Sequence, residues 1–144
     1  MKFYQPNLKT RIKLPLFIST VPAGFPSPAE EYSDTKLDLN KHLIQNPNST
    51  FFVAISGDSM IGADIQSGDI AIVDRSLEAK SGDIILAVVD GDFTIKRLEI
   101  KKDKNGNKSV KLVPENADFE PLEISQENVF QIWGVVTFTI HKSK

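Results

Sequence analysis

Four Gly–Asp pairs, Gly57–Asp58, Gly68–Asp69, Gly82–Asp83 and Gly91–Asp92, punctuate residues 51–100 and restrict the fold more than any other feature. Glycine supplies turn conformations and aspartate caps its own backbone, so the repeated pair marks reversals at the spacing of an all-β fold. Three of the pairs precede or enter a short run rich in β-branched or aromatic residues, and Gly57–Asp58 directly follows one. Phe51–Ser56, Ile70–Asp74, Ile84–Val89, Phe93–Ile100, Val110–Val113 and Val129–Ile140 all read as strands. Asp90-Gly91 is a hairpin signal between two of them, and Asn105-Gly106 centres a second, exposed hairpin over Lys101–Ser109. The fold class predicted is mainly β.

Upstream the pattern changes. Pro6, Pro15, Pro22, Pro26 and Pro28 remove backbone donors and hold residues 1–30 extended, with Leu14–Ile18 able to pair as an edge strand. Thr35–Asn46 places Leu37, Leu43 and Ile44 on one helical face and stops at Pro47, which predicts one short helix. The organisation expected is an arm, 1–30, followed by a β-rich domain, 31–144.

Composition removes several kinds of chemistry. With no cysteine there is no disulfide, thiol nucleophile or thiolate metal site, and two histidines leave little basis for zinc, so no metal and no cofactor are expected. Neither GxGxxG nor a Walker A loop is present. No apolar run reaches the ~18 residues of a membrane span, and charges interrupt the first twenty positions, so the expected location is the cytoplasm without a membrane partner. Residues 1–23 carry Lys2, Lys9, Arg11 and Lys13 and no acid, leaving −6 for the rest of a chain whose net charge is −2. That asymmetry is either chance in a short segment or a basic arm that lies on an acidic body or partner. The sign of the body disfavours bulk nucleic-acid binding.

What remains for catalysis is Gly57-Asp58-Ser59-Met60, directly after a strand. Ser59 at such a junction can present its hydroxyl outward while nearby amides point at the same spot and stabilise an oxyanion. The plainer reading is a turn followed by a core methionine. Lys96 is the second feature. Strand alternation places it with Thr94, Leu98 and Ile100, whereas Phe93, Ile95, Arg97 and Glu99 take the other face. It either snorkels to solvent or lies buried, where desolvation lowers a lysine pKa by up to about 3–5 units. An amine made neutral in this way can accept the Ser59 proton and return it to a leaving amine. A Ser–His–Asp triad stays open on chain order alone, since geometry defines it.

Taken together, Ser56–Met60, Ser67–Asp74, Gly82–Ile84 and Asp90–Leu98 resemble the LexA/UmuD-type self-cleaving Ser–Lys peptidases, in order and at matching spacing over nearly the whole chain. The resemblance implies a LexA/signal-peptidase-like domain of several small twisted antiparallel sheets. It makes Ser59 the nucleophile and Lys96 the general base, with the Asp58 and Ser59 amides as oxyanion donors. Ala23-Gly-Phe-Pro-Ser-Pro-Ala29 resembles the family's cleavage region, so the Ala23–Gly24 bond is the implied target. The implied partners are a RecA filament on single-stranded DNA, a second copy in a homodimer, and a UmuC-like Y-family polymerase. The implied role is an SOS mutagenesis and DNA-repair factor, active after cleavage as a subunit of an error-prone translesion polymerase. The proline-broken arm has no room for the helix-turn-helix domain of a LexA-like repressor, so sequence-specific DNA binding is not expected. Lys13-Leu-Pro-Leu-Phe17 resembles sliding-clamp-binding peptides through Leu14, Leu16 and Phe17, or is a plain edge strand. Two rival functions stay open: a non-catalytic β-module for dimerisation or polymerase binding, and a processing peptidase acting on other proteins.

Overall fold

A computed structural model describes residues 3–8, 13–16, 23 and 35–144. It divides into two compact units, Asn7–Gln45 and Met1–Pro6 with Asn46–Lys144.

In the larger unit the strands are β1 (Phe3–Tyr4), β4 (Thr50–Ala54), β5 (Ile70–Asp74), β6 (Ile84–Val89), β7 (Asp92–Lys102), β8 (Lys108–Val113), β9 (Leu122–Ile124) and β10 (Phe130–Ile140). They form one eight-stranded sheet in the order β1-β4-β5-β10-β6-β7-β8-β9, with every pairing antiparallel. The mainly β class expected from the Gly–Asp punctuation is present. All four of those glycines have positive φ, from +89° to +100°, a region that L side chains rarely adopt. Asp90 joins Gly91 there at φ 50°, giving the β6–β7 hairpin the two left-handed positions of a type I′ turn.

Alternate residues of β6 feed two apolar clusters. Leu86 packs with Val53, Met60, Ala71, Val73 and Ile95, while Ile85 and Ala87 pack with Leu98, Leu112 and Val135. Both sheet faces are therefore dry at the centre, and each fully buried aliphatic side chain contributes roughly 1.5–3 kcal/mol. β10 threads between β5 and β6. It approaches β5 so closely at Gly134 that a Cβ there would lie 2.6 Å from Val73 Cγ1, and its register shifts on either side.

Two short strands escaped the sequence reading. β1 pairs only Phe3 and Tyr4 with β4, and β9 is three residues long, so neither has enough alternation to register as a pattern. The smaller unit revises the helix. Thr35–Asp38 is a strand, β3, paired with Lys13–Leu16 (β2), and the helix α1 is only Leu39–Leu43. The reason is Asp38: its backbone is extended and its carboxylate accepts the Asn40 amide at 3.0 Å, so the helix starts after it. Pro15 sits in β2 opposite Lys36, where a two-stranded pairing leaves strand edges that tolerate a missing donor.

Candidate active site

Ser59 follows β4 in the turn Gly57–Met60. The turn is pinned at its far end by Met60, which is buried and belongs to the first apolar cluster, so the core-methionine reading is right for Met60. Gly57 at φ +93° reverses the chain, and Ser59 remains half-buried between solvent and core. Behind it, the Ser59 carbonyl accepts the Glu115 amide at 2.8 Å and the Asp58 carbonyl accepts Asn116 Nδ2 at 2.9 Å.

Lys96 comes from β7, where its neighbour Ile95 is buried in the first cluster and Leu98 in the second. Its Nζ lies 2.9 Å from Ser59 Oγ, 2.9 Å from Thr94 Oγ1 and 3.1 Å from the Ile95 carbonyl. The structure thus brings together the two residues singled out in the sequence. Thr94, on the strand face assigned to Lys96, is an additional partner that alternation had already placed beside it. Ile55, Met60, Ile65, Phe93 and Ile95 wall the cleft around the pair, which encloses about 180 Å³. A larger cavity of about 620 Å³, on Phe51, Arg75 and Trp133, includes neither residue. Reactive groups, not size, select the smaller one.

Burial pushes the Lys96 amine below the ordinary lysine value. Among the described residues no carboxylate is within ion-pair distance of it to reverse that effect. The sign of the resulting linkage is opposite to the usual lysine case. Between the folded and unfolded pKa values the unfolded chain binds more protons, so Lys96 destabilises the fold at neutral pH and the penalty fades as pH rises through the ordinary lysine range. Lys96→Met should therefore melt at a higher temperature than the parent at neutral pH. The advantage should vanish above the ordinary value of 10.5, as thermal scans across pH would measure.

The Asp58 and Ser59 amides, expected as oxyanion donors, donate to no acceptor among the described residues, whereas both carbonyls are engaged. Of the expected scissile pair, Ala23 is exposed in a bend and Gly24 lies outside the described residues. Leu14 and Leu16 lie in β2, and Phe17 is likewise outside. His141 Nδ1 is 2.6 Å from Asp69 Oδ1, and Ser59 Oγ is bonded to lysine rather than histidine. Among the described residues there is no cluster suited to a metal and no helix long and apolar enough to cross a membrane. Nothing local in the sequence marks Glu115 and Asn116, whose contacts to Ser59 and Asp58 span 56 and 58 residues.

A family model described as Peptidase S24-like matches residues 15–137. Protein SamA of Salmonella typhimurium is 43% identical over 130 residues, covering 90% of this chain and 86% of that protein. Protein ImpA of Shigella flexneri is 42% identical over 130 residues, with 90% and 85% covered. The LexA repressor of Clostridium acetobutylicum is 39% identical over 111 residues, which are 77% of this chain but 52% of that repressor.

Proposed function

The chain belongs to the Peptidase S24-like family as a UmuD-type member, and on that premise we propose that it is a self-cleaving serine endopeptidase of the SOS response. The observation that carries the reading is the 2.9 Å contact between Lys96 Nζ and Ser59 Oγ in a cleft with Ile55, Met60, Ile65, Phe93 and Ile95 in its walls. A neutral amine has two N–H bonds and one lone pair. Thr94 Oγ1 and the Ile95 carbonyl can take both hydrogens, which leaves the lone pair for the Ser59 hydroxyl. The lysine is then oriented as an acceptor.

In the proposed reaction Ser59 Oγ attacks the Ala23 carbonyl carbon while its proton passes to Lys96. The Asp58 and Ser59 amides, which donate to no acceptor among the described residues, are the candidate donors to the oxyanion. The ammonium then protonates the Gly24 nitrogen, the C–N bond breaks, and Ala23 is left esterified to Ser59. Water, deprotonated by the same amine, hydrolyses the ester and frees residues 1–23 from 24–144. Small side chains at the scissile pair suit close approach to so confined a cleft.

Family membership also supports the wider role. RecA–single-stranded-DNA filaments stimulate cleavage, and the shortened homodimer joins a UmuC-like Y-family polymerase in error-prone translesion synthesis in the cytoplasm. A sliding-clamp contact through Leu14, Leu16 and Phe17 would be lost with the arm. Incubating the purified chain with activated RecA filaments should yield, by mass spectrometry, a product beginning at Gly24. A chain that stays intact would leave only the non-catalytic dimerisation or polymerase-binding module, and one cut elsewhere would refute the Ala23–Gly24 target.

A further inference from the structure

The turn that presents Ser59 is held from behind by a loop distant in sequence. Pro114–Asn116, just past β8, grips it through three hydrogen bonds: Glu115 N–H to the Ser59 carbonyl (2.8 Å), Gly62 N–H to the Glu115 carbonyl (2.6 Å), and Asn116 Nδ2 to the Asp58 carbonyl (2.9 Å). The loop is itself anchored. Arg97, next to Lys96 on β7, pairs with the Glu115 carboxylate and donates Nη1 to the Gly82 carbonyl at 2.6 Å. The orientation of the Asn116 amide is also fixed, because its Oδ1 accepts the Asp118 amide at 3.0 Å and so leaves Nδ2 facing Asp58. The approach is close enough that a Cβ on Gly62 would lie 2.5 Å from the Glu115 carbonyl oxygen.

A trans peptide directs its C=O and N–H to opposite sides. With the Asp58 carbonyl drawn toward Asn116, the N–H of the same peptide unit, that of Ser59, is turned away from the loop. That amide donates to no protein acceptor among the described residues. We propose that Asn116 is a positioning residue for the reaction: by holding the Asp58 carbonyl, it fixes the peptide plane that aims the Ser59 amide at the developing oxyanion. The proposal rests on the peptidase reading above. Asn116 touches neither Lys96 nor the Ser59 hydroxyl, so it sets how strongly the oxyanion is held and leaves the proton transfer alone.

Asn116→Asp separates this role from loop integrity. The carboxylate still accepts the Asp118 amide but cannot donate to Asp58, so the loop keeps its turn while the Asp58 carbonyl keeps only the long 3.4 Å bond from the Ile61 amide and loses its 2.9 Å tether. Self-cleavage in alkali and phosphonylation of Ser59 by an organophosphonate, which places an anionic oxygen in the same position, should both slow by about ten- to a hundredfold, somewhat less than deletion of an oxyanion donor. The pH midpoint of cleavage should stay that of the parent. Gly62→Ala, which pushes Glu115 off the turn, should slow both reactions in the same direction, again without moving the midpoint. An Asn116→Asp chain that reacts at the parental rate overturns the proposal. So does one whose midpoint moves, since the role would then lie with Lys96, and one that no longer melts cooperatively, since the role would then be structural. A parent chain that neither cleaves nor phosphonylates refutes the peptidase reading and this role with it, whereas an active parent with an unaffected Asn116→Asp refutes this role alone.

Discussion

Lys96→Arg is expected to abolish self-cleavage at every pH, while the parent chain cleaves faster as the solution is made alkaline. Burial holds the Lys96 amine below its ordinary value of 10.5, so the neutral fraction that can accept the Ser59 proton becomes appreciable at a lower pH than for an exposed lysine. Below its pKa each pH unit should raise the rate about tenfold, and above it the rate should level off. Arginine stays cationic throughout that range and has no lone pair to offer. Ser59→Ala removes the nucleophile and Lys96→Ala the base. Each loss should amount to about 10⁴-fold or more, because members of such a unit fail together. Gel or mass-spectrometric time courses between neutrality and pH 10, with circular dichroism to verify folding, would measure it. A Lys96→Arg chain that still generates the Gly24 product would remove lysine from the mechanism.

β5 and β6 have the residue ranges expected because glycine turns bound them and their apolar runs are continuous. β7 extends beyond its expected ends, to Asp92 and Lys102, because hairpin pairing with β8 carries hydrogen bonds past the last apolar residue. The helix is shorter than its apolar stripe suggests because Leu37 fits a helical stripe and a strand equally well; what decides is Asp38, capping from an extended backbone. Ser59 and Lys96 were legible as a pair through the motifs around them, and Thr94 through strand alternation. Asn116 and Glu115 were not. They act through a backbone contact and a side-chain amide that only the folded register of β8 brings to the Ser59 turn. Nor could alternation disclose that both faces of β7 are packed, since that depends on which strands the sheet brings over them.

Asp74→Ala should cost about 3 kcal/mol of stability and lower the melting temperature by about 10 °C, a large effect for one residue remote from the reacting atoms. Asp74 ends β5, is almost fully buried, and accepts four hydrogen bonds: from Asn46 Nδ2 (2.7 Å), Ser49 Oγ (2.8 Å), and the amide and hydroxyl of Ser76 (2.8 and 2.7 Å). Alanine would remove all four charge-assisted bonds at once; Asn46 and Ser76 are exposed and their donors can turn to water, which keeps the total near about 3 kcal/mol rather than the sum of the separate bonds. Burial alone pushes the Asp74 carboxyl up, but the donors from Asn46, Ser76 and Ser49 together outweigh it and hold the carboxyl below the usual aspartate value. A depressed carboxyl contributes stability above its unfolded pKa, near 3.8, and loses that contribution as pH falls through the folded value. The gap between parent and Asp74→Asn should therefore be constant from neutrality down to about pH 4 and close only in stronger acid. The consequence reaches the active site through the chain itself. Asn46 and Ser49 immediately precede β4, whose Thr50 lies opposite Asp74, and β4 runs directly into the turn that carries Ser59. Releasing the start of β4 loosens its register against β5 and hence the placement of the hydroxyl, so Asp74→Asn should slow cleavage even at temperatures where the variant remains folded. A variant that melts with the parent across the whole pH range would remove Asp74 from that chain of constraint.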